Sequence, residues 1–385
     1  MKMNLPWVES PFFEKILAEK KLTAEQEEMA RRYNADGYVV IKNAYTHEEI
    51  DVVIEEMKNK GFNQDFRFKN HRDANRCQDL WEYSEPTKNI SIKPQILSSL
   101  EFLYDREVVP FQTLNFLKGS QQMAHSDTIH FSSLPSRFMA GVWVALENVT
   151  EENGPLFYYP SSQKMPEYNF NHFKEELIDN SYDNYHEYEL FMEALMNNSP
   201  YEKKVFLAEK GDALIWSSNI IHGGCPVKDP NSTRLSQVTH YFFKDCIYYS
   251  PMSSNTVSGE LLVRTTLKNM RTGKVERSTF NGHPTPLVRT YRHLYSINAH
   301  IFYPALFRFL SDFFFLISKK GLKGVFQVLS LRYAMGFLVG GICFYLLPFD
   351  LGFRNLLLLC LILPVGMTVI TYSDELNLNT PLAAS

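Results

Sequence analysis

Cysteine is scarce here. Five residues, at positions 77, 225, 246, 343 and 360 of a 385-residue chain, stand far apart from one another. That spacing excludes a disulfide framework and a cysteine-built zinc site, and it fits a reducing compartment. An excess of charge of one sign is also missing. The formal net charge is −4, so the overall balance does not point to nucleic acid. The opening stretch MKMNLPWVESPFFEKILAEKKL has no uninterrupted apolar core, and no secretory signal is expected in it. No internal repeat is visible. What remains is an ordinary globular composition, 45% hydrophobic, with length for one large domain and an appendage.

Residues 1–34 form a charged, helical N-terminal segment by pattern. DGYVVIKNAYTHEEIDVVIEEM then reads as a short β-branched strand followed by a helix. Thr46 is the expected N-cap, with Glu49 three residues on to complete a capping box. Residues 60–90 are polar and loop-rich, and 91–104 suggest another helix. From 109 the texture turns to strands: VPFQTLNFL, FMAGVWVALENV, PLFYYPS, KKVFLAEKGDALIWSS and RLSQVTHYFFK, punctuated by Asn and Gly. The expectation is a mainly β fold with flanking α-helices, a barrel or double-sheet jelly roll. An acidic insertion at 165–200, eight carboxylates against one lysine, interrupts the strands and reads as a possible lid.

HSDTIHF, residues 125–131, concentrates two histidines and an aspartate between strand-like flanks. On a strand, residues i and i+2 face the same way, so His125 and Asp127 could converge on one ion while Ser126 points away. A third ligand is available in IWSSNIIHGG, where His222 ends an apolar stretch just before two glycines. Two imidazoles and one carboxylate occupy one face of an octahedral iron and leave the other open. Arg234 follows twelve residues after His222, with Ser236 two further along the same strand face. A guanidinium fork matches a carboxylate, here the distal one of 2-oxoglutarate, and the serine can add a hydrogen bond.

Between about 35 and 255 the chain resembles the phytanoyl-CoA dioxygenase family through FQTLNF, HSDTIHF, GVWVALENVTEENGPLFYYPSSQ and HGG…RLS. The resemblance implies a double-stranded β-helix (a cupin-like jelly roll) and chemistry that depends on Fe(II), 2-oxoglutarate and O2. It implies that His125, Asp127 and His222 bind iron and that Arg234 and Ser236 hold 2-oxoglutarate. It places Trp143 against the co-substrate, with Gln112 and Asn115 as polar strand contacts, and makes Arg76 of RCQD a second candidate for a carboxylate. An aspartate at 127 argues for hydroxylation or a related oxidation, since related halogenases keep a small residue there. One departure touches substrate contacts: YYPSSQK stands where the family usually reads Pro-Gly-Ser-His. His130 and His240 read as supporting or core residues.

The C-terminal part lies outside that pattern. Residues 256–332 read as a basic juxtamembrane or interfacial region; twelve Lys or Arg face three acidic residues over 256–334. Two charge-free apolar runs follow, YAMGFLVGGICFYLLPF and NLLLLCLILPVGMTVITY, so 333–372 suggests a transmembrane helical hairpin, with a short tail at 373–385. The expected protein is thus a membrane-associated oxygenase whose catalytic domain faces the cytoplasm, where iron(II) and 2-oxoglutarate are at hand, with a soluble cytoplasmic protein as the alternative. Its substrate would be a small or lipid-linked metabolite, oxidised with release of succinate and CO2; no protein partner is inferable. Two other functions remain open: a non-catalytic binding module on the same fold, or a zinc hydrolase using the same ligands.

Overall fold

Alternation of inward and outward side chains builds the framework of the site. The structure, a computed structural model, describes residues 4–62, 75–173, 184–255 and 261–284. Its strands are β1 (Tyr38–Ile41), β2 (Arg76–Gln78), β3 (Val108–Phe116), β4 (Ser132–Leu134), β5 (Met139–Ala145), β6 (Leu156–Tyr158), β7 (Lys204–Phe206), β8 (Ala213–Ser217), β9 (His222–Gly224), β10 (Ser236–Phe243) and β11 (Ile247–Tyr249). A six-stranded antiparallel sheet runs in the order β1-β8-β5-β10-β3-β2, and a three-stranded sheet in the order β7-β6-β9. Trp143, Leu214, Trp216 and Val238 from the large sheet pack with Leu156, Tyr158 and Phe206 from the small one. The two-sheet β core expected from the sequence is present.

The strand period of two decides what reaches the interior. On β10, Ser236, Val238 and His240 share one face, while Gln237, Thr239 and Tyr241 share the other. The outer face of the large sheet packs against helices. These are α1 (Phe13–Glu19), α2 (Ala24–Asp36), α3 (His47–Glu56), α4 (Glu85–Ser91) and α5 (Pro94–Tyr104). One core joins Tyr33, Ile50, Ile90 and Leu100 of these helices to Val142 and Ile215 of the sheet. The expected capping box opens α3: Thr46 Oγ1 accepts from Glu49 N–H, and Glu49 accepts from Thr46 N–H.

Two terminal segments pack into the β core. The 1–34 segment is part of the core: Trp7, Val8 and Tyr33 are buried, and Glu9 takes a hydrogen bond from Ser217 Oγ at 2.6 Å and an ion pair from Arg137 at 3.2 Å. The region from 256 is not all peripheral either. Residues 261–284 fold back onto the β core: Arg264 N–H donates to Tyr248 O at 2.7 Å, Met270 N–H donates to Pro110 O at 2.9 Å, and Met270 is fully buried. A basic composition said nothing about these apolar anchors. Among the described residues no helix is long and apolar enough to cross a membrane. The expected C-terminal hydrophobic helices at 333–372 lie outside the described residues.

The candidate metal and co-substrate site

His125 and His222 are brought together by backbone. They form an isolated antiparallel bridge in which each N–H donates to the other's carbonyl at 2.9 Å, and their rings lie 4.4 Å apart. Each imidazole is oriented the same way. His125 Nδ1 bonds Met123 O at 2.9 Å, and His222 Nδ1 bonds Ile220 O at 3.1 Å. A carbonyl can only accept, so Nδ1 carries the proton and Nε2 is left with its lone pair for a metal. Burial pushes the His125 imidazole down to about 3, keeping it neutral and able to ligate.

Asp127 arrives by a different route from the one expected. It opens a 3-10 turn, Asp127–Ile129, and does not continue a strand past His125. Ser126 caps that turn, accepting from Thr128 N–H at 3.2 Å, which swings the Asp127 carboxylate back beside His222. Asp127 Oδ1 lies 3.8 Å from His222 Nε2, and its Oδ2 accepts from Trp216 Nε1 at 2.8 Å. Burial raises its proton affinity, but the imidazoles of His222, His240 and His125 and the Trp216 N–H outweigh that and hold it below the ordinary carboxylate range. One donor atom from each of His125, Asp127 and His222 falls within 4.8 Å of the others. Three buried donors, two imidazoles and a carboxylate, suit an iron(II) ion with open coordination positions.

The glycines after His222 are strand residues chosen by packing. Gly223 and Gly224 continue β9, and close packing explains them: a Cβ on Gly223 would sit 2.5 Å from Phe157 Cζ, and one on Gly224 would sit 2.6 Å from Ser120 Oγ. A third glycine works the same way. Gly141 of β5 is paired with Trp216 of β8, and a Cβ there would lie 2.3 Å from the indole. The missing side chain lets the Trp216 ring lie across β5 towards Asp127.

The triad opens on a cavity of about 850 Å3. Arg234, in phase with Ser236 and His240, projects into it and is only 3% exposed. Its Nη1 donates to Ser236 Oγ at 3.3 Å, and the guanidinium lies 5.5 Å from the Phe116 ring and 5.7 Å from Trp143. Burial pushes its pKa down to about 10, so it stays charged at neutral pH. Among the described residues no carboxylate lies within ion-pairing distance of it, although the Glu147 charge reaches it and favours its protonated form. Arg234 Nε and Trp143 Nε1 are both buried with no hydrogen-bond partner. A buried cation with one idle donor of its own and a second beside it on Trp143 fits an incoming carboxylate.

Of the other expected contacts, Gln112 and Arg76 line the cavity. Gln112 Oε1 is 3.1 Å from His240 Nδ1. Asn115, expected as a polar co-substrate contact, does not reach the cavity. It is three residues from Gln112, hence on the opposite face of β3, where its Nδ2 donates to Gln237 Oε1 at 3.1 Å. Sequence reasoning missed Trp216, although its phase with Leu214 on an apolar strand was the available signal. His240 is nearer the triad than expected, its Nε2 lying 3.8 Å from Asp127 Oδ2. Part of the acidic insertion also touches the site: α6 (Tyr185–Asn197) buries Tyr188, whose hydroxyl accepts from Ser126 N–H at 3.3 Å, and Tyr185 lines the cavity.

The family model for phytanoyl-CoA dioxygenase matches residues 33–234. The chain belongs to the phytanoyl-CoA dioxygenase family. The match runs from α2 to the cavity arginine and includes all three metal ligands. Curated relatives include the peroxisomal phytanoyl-CoA dioxygenases of Rattus norvegicus, 24% identical over 62% of this chain and 73% of the relative, and of Mus musculus, 24% identical over 65% and 78%. Similar solved structures include the non-heme alpha ketoglutarate dependent epimerase SnoN from nogalamycin biosynthesis, 17% identical with TM-score 0.47 over 68% of this chain and 96% of that one. Another is iron-bound EctD from S. alaskensis, 16% identical with TM-score 0.46 over 69% and 89%. As a phytanoyl-CoA dioxygenase family member with the triad intact, the chain is a 2-oxoglutarate-dependent iron oxygenase, with iron(II), 2-oxoglutarate and O2 as its cofactor set.

Proposed function

We propose that the protein hydroxylates a small molecule, converting 2-oxoglutarate to succinate and CO2 in the same turnover. The observation that carries this reading is the buried Arg234 guanidinium facing the same cavity as His125, Asp127 and His222. Iron(II) with 2-oxoglutarate supplies the oxidising power to attack an unactivated C–H bond with O2. This chain's own residues do the holding. His125, Asp127 and His222 would bind the metal, while Arg234 and Ser236 would hold the distal carboxylate of the co-substrate. Trp143 and Phe116 cover that end and keep water out, which strengthens the ionic contact. Gln112 and Arg76 line the same chamber, and its volume is in the range of small-molecule sites.

A zinc hydrolase would use the same three donors, but a buried arginine for a keto acid has no role in hydrolysis. A non-catalytic binding module would gain nothing from two imidazoles each turned by Nδ1 to offer Nε2. The membrane reading rests on the two charge-free runs within 333–372, and with it goes a lipid-linked substrate on the cytoplasmic side. A soluble cytoplasmic protein is the alternative.

Anaerobic titration of 2-oxoglutarate into the protein with iron(II) tests the assignment. The visible charge-transfer absorption of a keto acid bound to ferrous iron is expected with the natural chain and not with Asp127→Ala. Its absence from the natural chain would remove the oxygenase reading.

A further inference from the structure

The segment 261–268 lies beyond the family match, yet it forms one wall of the cavity. It is held there by backbone: Ser250 N–H donates to Leu262 O at 3.1 Å, Arg264 N–H donates to Tyr248 O, and Tyr249 bridges Val263. Through this wall Arg264 enters the chamber. Its guanidinium stacks 4.6 Å over the Phe131 ring, and its Nη2 donates to His130 O at 2.9 Å.

The position relative to Arg234 is informative. Arg234 sits by Phe116 and Trp143, at the Ser236 end of β10. Arg264 sits by Phe131, which packs 4.8 Å from His240 and 5.3 Å from Phe111, at the other end of the same strand pair. Ser236 and His240 are four residues apart, roughly 13 Å along a strand at about 3.3 Å per residue. Asp127 lies next to His240 and Trp216. One short dicarboxylate held by Arg234 at the triad therefore does not also occupy the Arg264 end. Ser250, Ser253, Thr265 and Thr266 also line the cavity.

We propose that Arg264 binds an oxyanion, a carboxylate or a phosphate, carried by the primary substrate, and so selects anionic substrates. The planar fork of an arginine fixed on an aromatic ring suits such a group. Lying past the residues the family model matches, it would distinguish this chain's substrate from that of any relative lacking the segment. The proposal rests on the oxygenase reading, because it takes Arg234 to be occupied by 2-oxoglutarate.

Tryptophan fluorescence provides the test, since Trp81, Trp143 and Trp216 all line the cavity. The full chain, kept anaerobic with iron(II) and saturating 2-oxoglutarate, is titrated with hexanoate, hexyl phosphate and neutral hexanamide. At least one anion is expected to bind about tenfold or more tightly than the amide, as a charge-assisted contact implies. Which anion binds tighter identifies the head group. Arg264→Gln is expected to erase the preference, Arg264→Lys to keep part of it, and both to leave 2-oxoglutarate affinity within about twofold of the natural chain's. Equal binding of amide and anions, no binding of either anion, or a preference surviving in Arg264→Gln would overturn the proposal. Should that variant not fold, the comparison of anion with amide in the natural chain still decides. Failure of the natural chain to bind 2-oxoglutarate would instead overturn the oxygenase reading, so the two failures are distinct.

Discussion

Trp216 Nε1 donates to Asp127 Oδ2 at 2.8 Å, and this bond locks the carboxylate that completes the metal triad. It also leaves Oδ1 as the oxygen nearer His222. Outer hydrogen bonds of this kind typically change metal affinity by about 10- to 100-fold. Trp216→Phe keeps an aromatic ring, though a smaller one, and removes the donor. It is expected to weaken iron(II) binding by about tenfold or more, alongside the loss of thermal stability that a smaller buried ring brings. Competition with a coloured chelator measures the first and a melting curve the second. Unchanged iron affinity would show that the indole only packs.

Gly141 tests the same contact from the neighbouring strand. Gly141→Ala puts a methyl where the indole lies, and overpacking of a core commonly costs about 1–3 kcal/mol. Lower stability together with weaker iron binding is expected. Loss of stability alone, with full iron affinity, would separate the glycine from the site.

Arg234→Leu should raise the apparent requirement for 2-oxoglutarate while leaving iron binding nearly intact. A charge-assisted contact in a buried site is worth about 2–5 kcal/mol, so the concentration for half-saturation should rise at least tenfold. An unaltered requirement would move the anchor elsewhere, with Arg76 the next residue to change.

Much of this was legible in the sequence, and the failures have physical causes. Thr46 and Glu49 announce their helix because capping is local. Arg234 and Ser236 share a face because strand period is local too. Asn115 was misassigned against that same period, since an odd separation from Gln112 puts it on the far side of β3. The route of Asp127 was misread because its turn depends on Ser126 and on Ser126's buried contact with Ser218 O at 3.0 Å, a partner 92 residues away. The wall formed by 261–268 was hidden for a similar reason. Its basic composition suggested a membrane surface, whereas its anchors, Leu267 and Met270, are single apolar residues buried by distant strands.

Acid should destabilise the metal-free domain through its buried histidines. Burial pushes His125 down to about 3 and His240 down to about 4, below the ordinary 6.5. With the folded value depressed, the unfolded chain takes up protons first. Stability is present above pH 6.5 and lost as pH falls towards the folded values. At one unit below 6.5 each such histidine costs about 1.4 kcal/mol. Urea unfolding at pH 7.5 and 5.5 should show this drop, smaller in His240→Gln. An identical drop in that variant would assign the acid sensitivity to other groups.

The membrane expectation has its own check. Full-length protein carrying a hairpin at 333–372 should pellet with membranes and resist both high salt and carbonate. Salt screens the basic segment's attraction to anionic lipid but does not extract apolar spans. A truncated chain ending near 300 should still bind iron, because every ligand precedes it. Full-length protein found in the supernatant without detergent would contradict the hairpin.

The most direct test of the account is whether turnover of 2-oxoglutarate needs iron(II), O2 and Asp127 together. Succinate and O2 consumption are followed in parallel for the natural chain and for Asp127→Ala. The account predicts succinate formed only with iron(II) and O2 present, in step with the O2 consumed, and abolished in the variant. Succinate produced equally with zinc, without O2, or by Asp127→Ala would contradict it.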